Sequence, residues 1–204
     1  MARDPLAMQA ALGQLRDPRS VKRRAAAKML RKLGDEAAAA ALLEALEREL
    51  ADQKTWETQY QLIMAVAACR SKGGQPLLER ILTMSLEPMV HLAAGDALVR
   101  LSEDVDGAIM AALKSASPSR AEGALRALAM MHSVPAPETI DAIITFAWET
   151  AHRQLRFWVC AAASGWRGPR IRSFLEDCLS DAAAETQRAA KAALEGRYIK
   201  WHPL

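Results

Sequence analysis

The sequence predicts an all-α protein built from stacked antiparallel helix pairs. Three observations carry that expectation. A branched apolar residue followed three and four places later by further apolar residues recurs five times, at Leu43/Leu46, Leu78/Ile81/Leu82, Ile109/Ala112/Leu113, Ile140/Ile143/Ile144 and Ile171/Phe174/Leu175. The first members lie 35, 31, 31 and 31 residues apart, a period at which helical repeat units bury one apolar stripe against their neighbours. The helices between them keep a small residue in register, at Ala26, Ala65, Ala94, Ala124, Ala161 and Ala190, where a neighbouring helix can approach closely. No stretch shows the period-two alternation of a half-buried strand.

The elements follow in order from their caps. Asp4-Pro5 opens a helix to about Leu15, and Asp17-Pro18 opens a second that stops at Leu33-Gly34. Aspartate accepts from free amides, proline suits the first turn and glycine the position after the last. Asp35 caps a third helix to about Leu50. The remaining helices are expected over 55–71, 75–85, 87–101, 104–116, 117–132, 137–150, 152–166, 169–179 and 181–198. Glu87-Pro88, Ser117-Pro118 and Gly168-Pro169 mark starts, and Gly73-Gly74 and Ser133–Pro135 mark breaks. The connections are short, as between antiparallel neighbours. The helices therefore alternate between two kinds. An A helix carries the small anchor, and a B helix carries the branched apolar stripe.

Composition narrows the classes of function. Of 204 residues, 51% are apolar and only 5% aromatic, and the net charge is +3, too small to imply a nucleic-acid partner by itself. The three cysteines, Cys69, Cys160 and Cys178, have no CxxC spacing and sit inside helical patterns. They read as reduced, buried thiols of a cytoplasmic protein with no metal or cofactor. The first fifteen residues lack the apolar run of a signal peptide, and no window reads as a membrane span.

The segments "DPRSVKRRAAAKMLRKLGD" (17–35), "PMVHLAAGDALVRLSED" (88–104) and "ETQRAAKAALEG" (185–196) resemble HEAT repeats, most closely the bacterial HEAT-like group related to the phycobilisome lyases. The copies at 55–72 and 152–168 depart from that pattern through Tyr60, Phe157 and Trp158. The resemblance implies a right-handed α-solenoid of about five and a half hairpins. It would be a single domain over 1–204, with a capping helix at 1–16 and a tail at 197–204. It also implies that B helices line a concave surface and A helices a convex one.

A helical wheel then names a candidate contact surface. Positions one and five beyond each B-helix core residue point about 100° and 140° away from it. They are Glu44/Arg48, Glu79/Thr83, Met110/Lys114, Asp141/Thr145 and Arg172/Glu176, with Trp148 on the flank. The B helices are net acidic and the A helices net basic. An acidic inner surface would suit another protein with a basic surface, charge steering the encounter, and would repel phosphates. Met110 and Trp148 would supply apolar anchors. Trp158, one turn from Leu155 and Ala161, reads as core. Trp148, Trp166 and Trp201, near helix ends and in the tail, with Arg153, Arg156, Arg167, Arg170 and Arg172 close by, form a second candidate surface of the residue types that dominate interfaces. The alternative is local packing of arginine stems on indole rings. The tail "RYIKWHPL" is expected to fold back over the last helix.

No catalytic motif is present: no GxSxG, no HExxH and no Gly-rich phosphate loop. The sequence therefore reads as a non-catalytic scaffold or adaptor of regulatory, assembly or immunity type. The alternative is a nucleic-acid-binding protein related to the alkylpurine DNA glycosylases of HEAT-like fold. It would use the basic run Lys22, Arg23, Lys28, Arg31 and Lys32.

Overall fold

The computed structural model describes residues 5–149 and 152–199. Among them are twelve α-helices and no strand. They are α1 (Pro5–Gln14), α2 (Ser20–Leu33), α3 (Ala39–Glu49), α4 (Trp56–Ala68), α5 (Gln75–Thr83), α6 (Pro88–Leu101), α7 (Val105–Leu113), α8 (Pro118–Met131), α9 (Pro137–Glu149), α10 (Gln154–Ala162), α11 (Pro169–Cys178) and α12 (Ala184–Leu194). The chain is an all-α solenoid of helical hairpins, and it divides into two compact units, 1–103 and 104–204.

In the first unit the A helices α2, α4 and α6 pack flank to flank, while the B helices α3 and α5 make no extensive contact with one another. Each B helix packs on the A helix that follows it, α3 on α4 and α5 on α6, and α1 packs on α2 in the same way. Small residues explain the close A layer: Ala26, Ala65 and Ala94 are buried. Ten consecutive residues of α4, Thr58–Ala67, are buried. That is the signature of a helix enclosed by its neighbours.

The second unit repeats the plan. Helices α8, α10 and α12 form the A layer around buried Ala124, Ala161 and Ala190. The B helices α7, α9 and α11 pack on α8, α10 and α12 respectively, and here they also touch one another in sequence order. Framed by closest packing, each unit holds three hairpins of B-then-A order. Framed A then B, α2 to α12 read as five and a half pairs, with α1 set apart as the capping helix.

Several boundaries differ from the sequence reading for local reasons. Helix α2 starts at Ser20 and not at Pro18, because the Asp17 carboxylate is taken by the Arg19 guanidinium at 3.1 Å and its amide at 2.9 Å. Those bonds hold Asp17 down at a pKa of about 2. Asp35 caps as expected, accepting from the Ala37 amide at 3.0 Å, but it opens a 3-10 turn at Glu36–Ala38 before α3. That turn sets the phase of α3, so its buried stripe is Ala38, Leu42, Ala45 and Leu46. Leu43, expected in the core, is only half-buried. Helix α12 begins at Ala184 because Asp181 turns its carboxylate onto the Ala183 amide at 2.9 Å. The Asp4 cap lies outside the described residues, as do Thr150 and Ala151.

Candidate functional site

In the first unit, of the candidate B-helix residues Glu44, Arg48, Glu79 and Thr83, only Glu44 lines the space between α3 and α5. The wide spacing of these helices leaves an open groove of about 460 Å³, lined by Leu43, Glu44, Glu47, Gly73, Pro76, Leu77 and Arg80. Leu43 and Leu77 form an apolar floor. Gly74 makes this possible: a Cβ there would lie 2.9 Å from Leu43 Cδ2 and 3.0 Å from Val66 Cγ1. The rim is charged. Glu44 pairs with Arg48 at 2.6 Å and with Arg16 at 3.5 Å, and Arg80 pairs with Glu47 across the groove. Glu79 and Thr83 are exposed on α5, and the Thr83 hydroxyl donates to the Arg80 carbonyl at 2.8 Å.

In the second unit Asp141, Thr145 and Trp148 share one face of α9. A residue the wheel did not name, Arg170 of α11, ties them together. Its Nη1 lies 3.3 Å from Asp141 Oδ1, its Nη2 donates to Thr145 Oγ1 at 3.0 Å, and its guanidinium carbon sits 6.0 Å from the Trp148 ring. Trp148 remains 42% exposed and packs edge-on against buried Phe174 at 5.6 Å. Arg172 and Glu176 are exposed and face each other at 4.0 Å. Met110 is half-buried on α7, and Lys114 is exposed at its end.

The C-terminal aromatic and arginine residues divide between core and surface. Trp158 and Trp166 are both buried. Trp158 Nε1 donates to Glu122 at 3.3 Å, and Trp166 Nε1 to the Ser133 carbonyl at 3.0 Å. Arg167 donates to the carbonyls of Ser164 and Trp166. Arg156 lies over Phe174 at 5.5 Å, while Arg153 is exposed. Tyr198 stacks on His132 at 3.8 Å, and Ser164 donates to the Arg197 carbonyl at 2.7 Å. Residues 197–199 thus fold back onto their own unit. Trp201 and His202 lie outside the described residues.

The basic run on α2 is likewise split. Helix α2 carries six basic residues and no acidic one. Arg23 is engaged by Glu49 through Nε at 2.6 Å and Nη2 at 2.8 Å, Arg24 pairs with Glu57, and Arg31 donates to Gln61 at 3.3 Å. Lys22, Lys28 and Lys32 are exposed. Among the described residues no helix is long and apolar enough to cross a membrane, and no group of three His, Cys, Asp or Glu side chains could hold a metal ion.

These helices define a class, the α-helical repeat proteins. Within it, residues 22–48 match the PBS lyase HEAT-like repeat family. That segment spans most of α2 and α3, where the sequence resembles a HEAT repeat. The chain is also similar to a designed armadillo repeat protein, with 18% identity and a TM-score of 0.44, over 93% of this chain and 99% of that one. No curated protein is close enough in sequence to count as a relative.

Proposed function

We propose that this chain is a non-catalytic protein-interaction scaffold. It holds a partner with a basic surface on a B-helix face. The observation that carries the reading is the α3/α5 groove, where an apolar floor of Leu43 and Leu77 meets a rim containing Glu44 and Glu47. A basic side chain with an aliphatic stem fits such a groove. The stem covers the leucines and the charge meets the carboxylates. Helix α9 extends the same bias in the second unit, carrying Glu138, Asp141 and Glu149 and no basic residue. Trp148, braced by Arg170, adds an exposed aromatic of the kind that anchors interfaces.

Existing ion pairs temper the acidic surface. Glu44, Glu47 and Asp141 each have an arginine partner. These pairs are exposed, so each is worth only about 0–1 kcal/mol, and a partner's cation can replace them. The site residues proposed for contact are Glu44, Arg48, Glu79, Thr83, Met110, Lys114, Asp141, Thr145, Trp148, Arg172 and Glu176. The test is affinity capture with the wild-type chain beside a Glu44→Lys/Glu47→Lys variant and an Asp141→Lys variant. Proteins retained by wild type and lost from the variants, with thermal midpoints unchanged, support the surface. An identical set of retained proteins removes it.

A further inference from the structure

Helix α2 ends the A layer of the first unit, and its outward face is open to solvent. Ala26, Ala27 and Leu30 are buried on the side that packs on α1 and α4. The opposite side presents Val21, Lys22, Ala25, Lys28, Met29 and Lys32, all exposed. Val21, Ala25 and Met29 stand four apart, so they form one stripe about 12 Å long. Val21 is 65% exposed and Met29 44%. Lys22 borders the stripe on one side and Lys28 on the other, with Lys32 one turn beyond Lys28.

This pattern suits packing better than capping. The end of a helical array ordinarily turns a polar surface outward. Helix α12, the last A helix of the second unit, does so: Gln187, Arg188 and Lys191 are exposed, and no large apolar side chain of that helix is. On α2, by contrast, a small residue stands at the centre of an aliphatic stripe, the arrangement that lets a second helix approach closely. The lysines around it have no carboxylate on their own helix, because α2 carries no acidic residue. Of the neighbouring carboxylates, Glu49 is bound to Arg23 and Glu57 to Arg24.

We propose that the outward face of α2 docks an acidic helix of another protein, which adds one member to the A layer. The face sets the chemistry of that helix. Its seam is aliphatic, because Val21 and Met29 gain only by leaving water. A small residue meets Ala25, since a bulky one would hold the backbones apart. Carboxylates one turn apart line the flank that faces Lys28 and Lys32. The lysine stems lie over the seam while their ammonium groups reach the acids. A second copy of this chain does not meet these terms. Packing α2 on α2 sets lysine against lysine, and packing α2 on α12 sets lysine against Arg188 and Lys191. A nucleic-acid backbone answers the charge but offers no seam for Val21 and Met29. The α2 face therefore selects the opposite charge from the α3/α5 groove, and the inference stands apart from the reading of that groove.

The test uses the full chain and a fluorescein-labelled, hydrocarbon-stapled helix matched in length to α2. The probe carries leucine and alanine on one face and glutamate on both flanks; a twin has lysine in place of every glutamate. The expected result is saturable binding of the acidic probe and none of the twin. Affinity falls roughly tenfold or more in Lys28→Glu/Lys32→Glu, where attraction becomes repulsion. It falls also in Ala25→Gln, which keeps every charge but props the helices apart. These positions are exposed, and unchanged thermal midpoints check that each variant folds. Carbodiimide coupling and peptide mapping should join probe glutamates to Lys22, Lys28 or Lys32. The Glu44→Lys/Glu47→Lys variant should bind the probe as wild type does, so failure of this inference and failure of the groove reading are told apart. Absence of saturable binding, equal binding of the twin, or full affinity in Ala25→Gln overturns the proposal. So does binding to phosphatidylserine vesicles in preference to the probe, which assigns the face to a lipid surface. A concentration-dependent dimer lost in Lys28→Glu/Lys32→Glu overturns it too, by assigning the face to a second copy.

Discussion

Glu49 shows how this chain handles a charge in its core. It occupies the last place of the buried stripe of α3 and is only 4% exposed. Burial of a carboxylate is costly unless it is paired and hydrogen-bonded. Arg23 meets it with two bonds and spends its remaining nitrogen on the carbonyls of Asp17 and Pro18, at 2.9 Å and 2.8 Å. Glu49→Ala leaves that guanidinium without its carboxylate and is expected to cost about 3 kcal/mol. A fall in the urea midpoint at constant slope checks it, and an unchanged midpoint contradicts it. Cys69 gives a second test at this scale. Burial first, and Asp35 next, push its thiol from 9.0 up to about 11. Below pH 9 both folded and unfolded states hold the proton, and the contribution to stability is intact. Between pH 9 and 11 only the unfolded chain ionises, so stability falls, by about 2 kcal/mol at the upper end. In Cys69→Ala the alkaline slope should be shallower than in wild type, the other titrating groups being common to both. Parallel slopes would refute it. Neither interaction is visible in sequence. Arg23 reads as one more phosphate-binding cation, and only the fold shows that Glu49 claims it. Arg170 reads in sequence as one member of a C-terminal arginine cluster, and nothing in its own helix marks its three partners on α9.

The helices were the most legible part of the chain. Their period comes from local packing, and caps at Asp104 and Ser117 do what the residue types suggest: Asp104 accepts from Gly107 at 2.8 Å and Ser117 from Arg120 at 3.3 Å. What sequence did not reveal is helix phase where a 3-10 turn intervenes. Leu43 has the spacing of a core residue, yet the turn at Glu36–Ala38 rotates it to the groove floor. The ends of the A helices carry a further prediction. Three of them, α2, α4 and α8, are followed closely by a residue in the left-handed region: Gly34 at φ 61°, Arg70 at 52° and His132 at 53°. An L side chain pays for that conformation and glycine does not. His132 offsets the cost by stacking on Tyr198. Arg70 is exposed, so Arg70→Gly is expected to stabilise the chain by roughly 0.5–1 kcal/mol. The same substitution at His132 should gain less or lose. A thermal midpoint that falls in Arg70→Gly would show that the Arg70 side chain contributes more than its strain costs.

At the scale of the whole molecule, charge distribution decides between a protein partner and nucleic acid. A net charge of +3 allows either, so the position of the free cations matters. On α2, the most basic helix, Arg23 is held by buried Glu49, and Arg24 and Arg31 are engaged by Glu57 and Gln61. That leaves Lys22, Lys28 and Lys32 as the exposed cations of the helix. Phosphate contacts lower log K by about 0.9 per contact for each tenfold rise in salt. Three lysines thus give a slope no steeper than about −3, far short of the six to ten contacts of a committed duplex binder. The basic run is legible in sequence as charge, but its availability is a tertiary property. Fluorescence anisotropy with a labelled duplex, titrated from low to physiological salt, is expected to show weak binding that fades with that shallow slope and is abolished by Lys28→Glu/Lys32→Glu. Saturable binding that survives physiological salt, or a slope near −6, would mean that more cations than these three lysines meet phosphate, and the scaffold reading would give way to a nucleic-acid one.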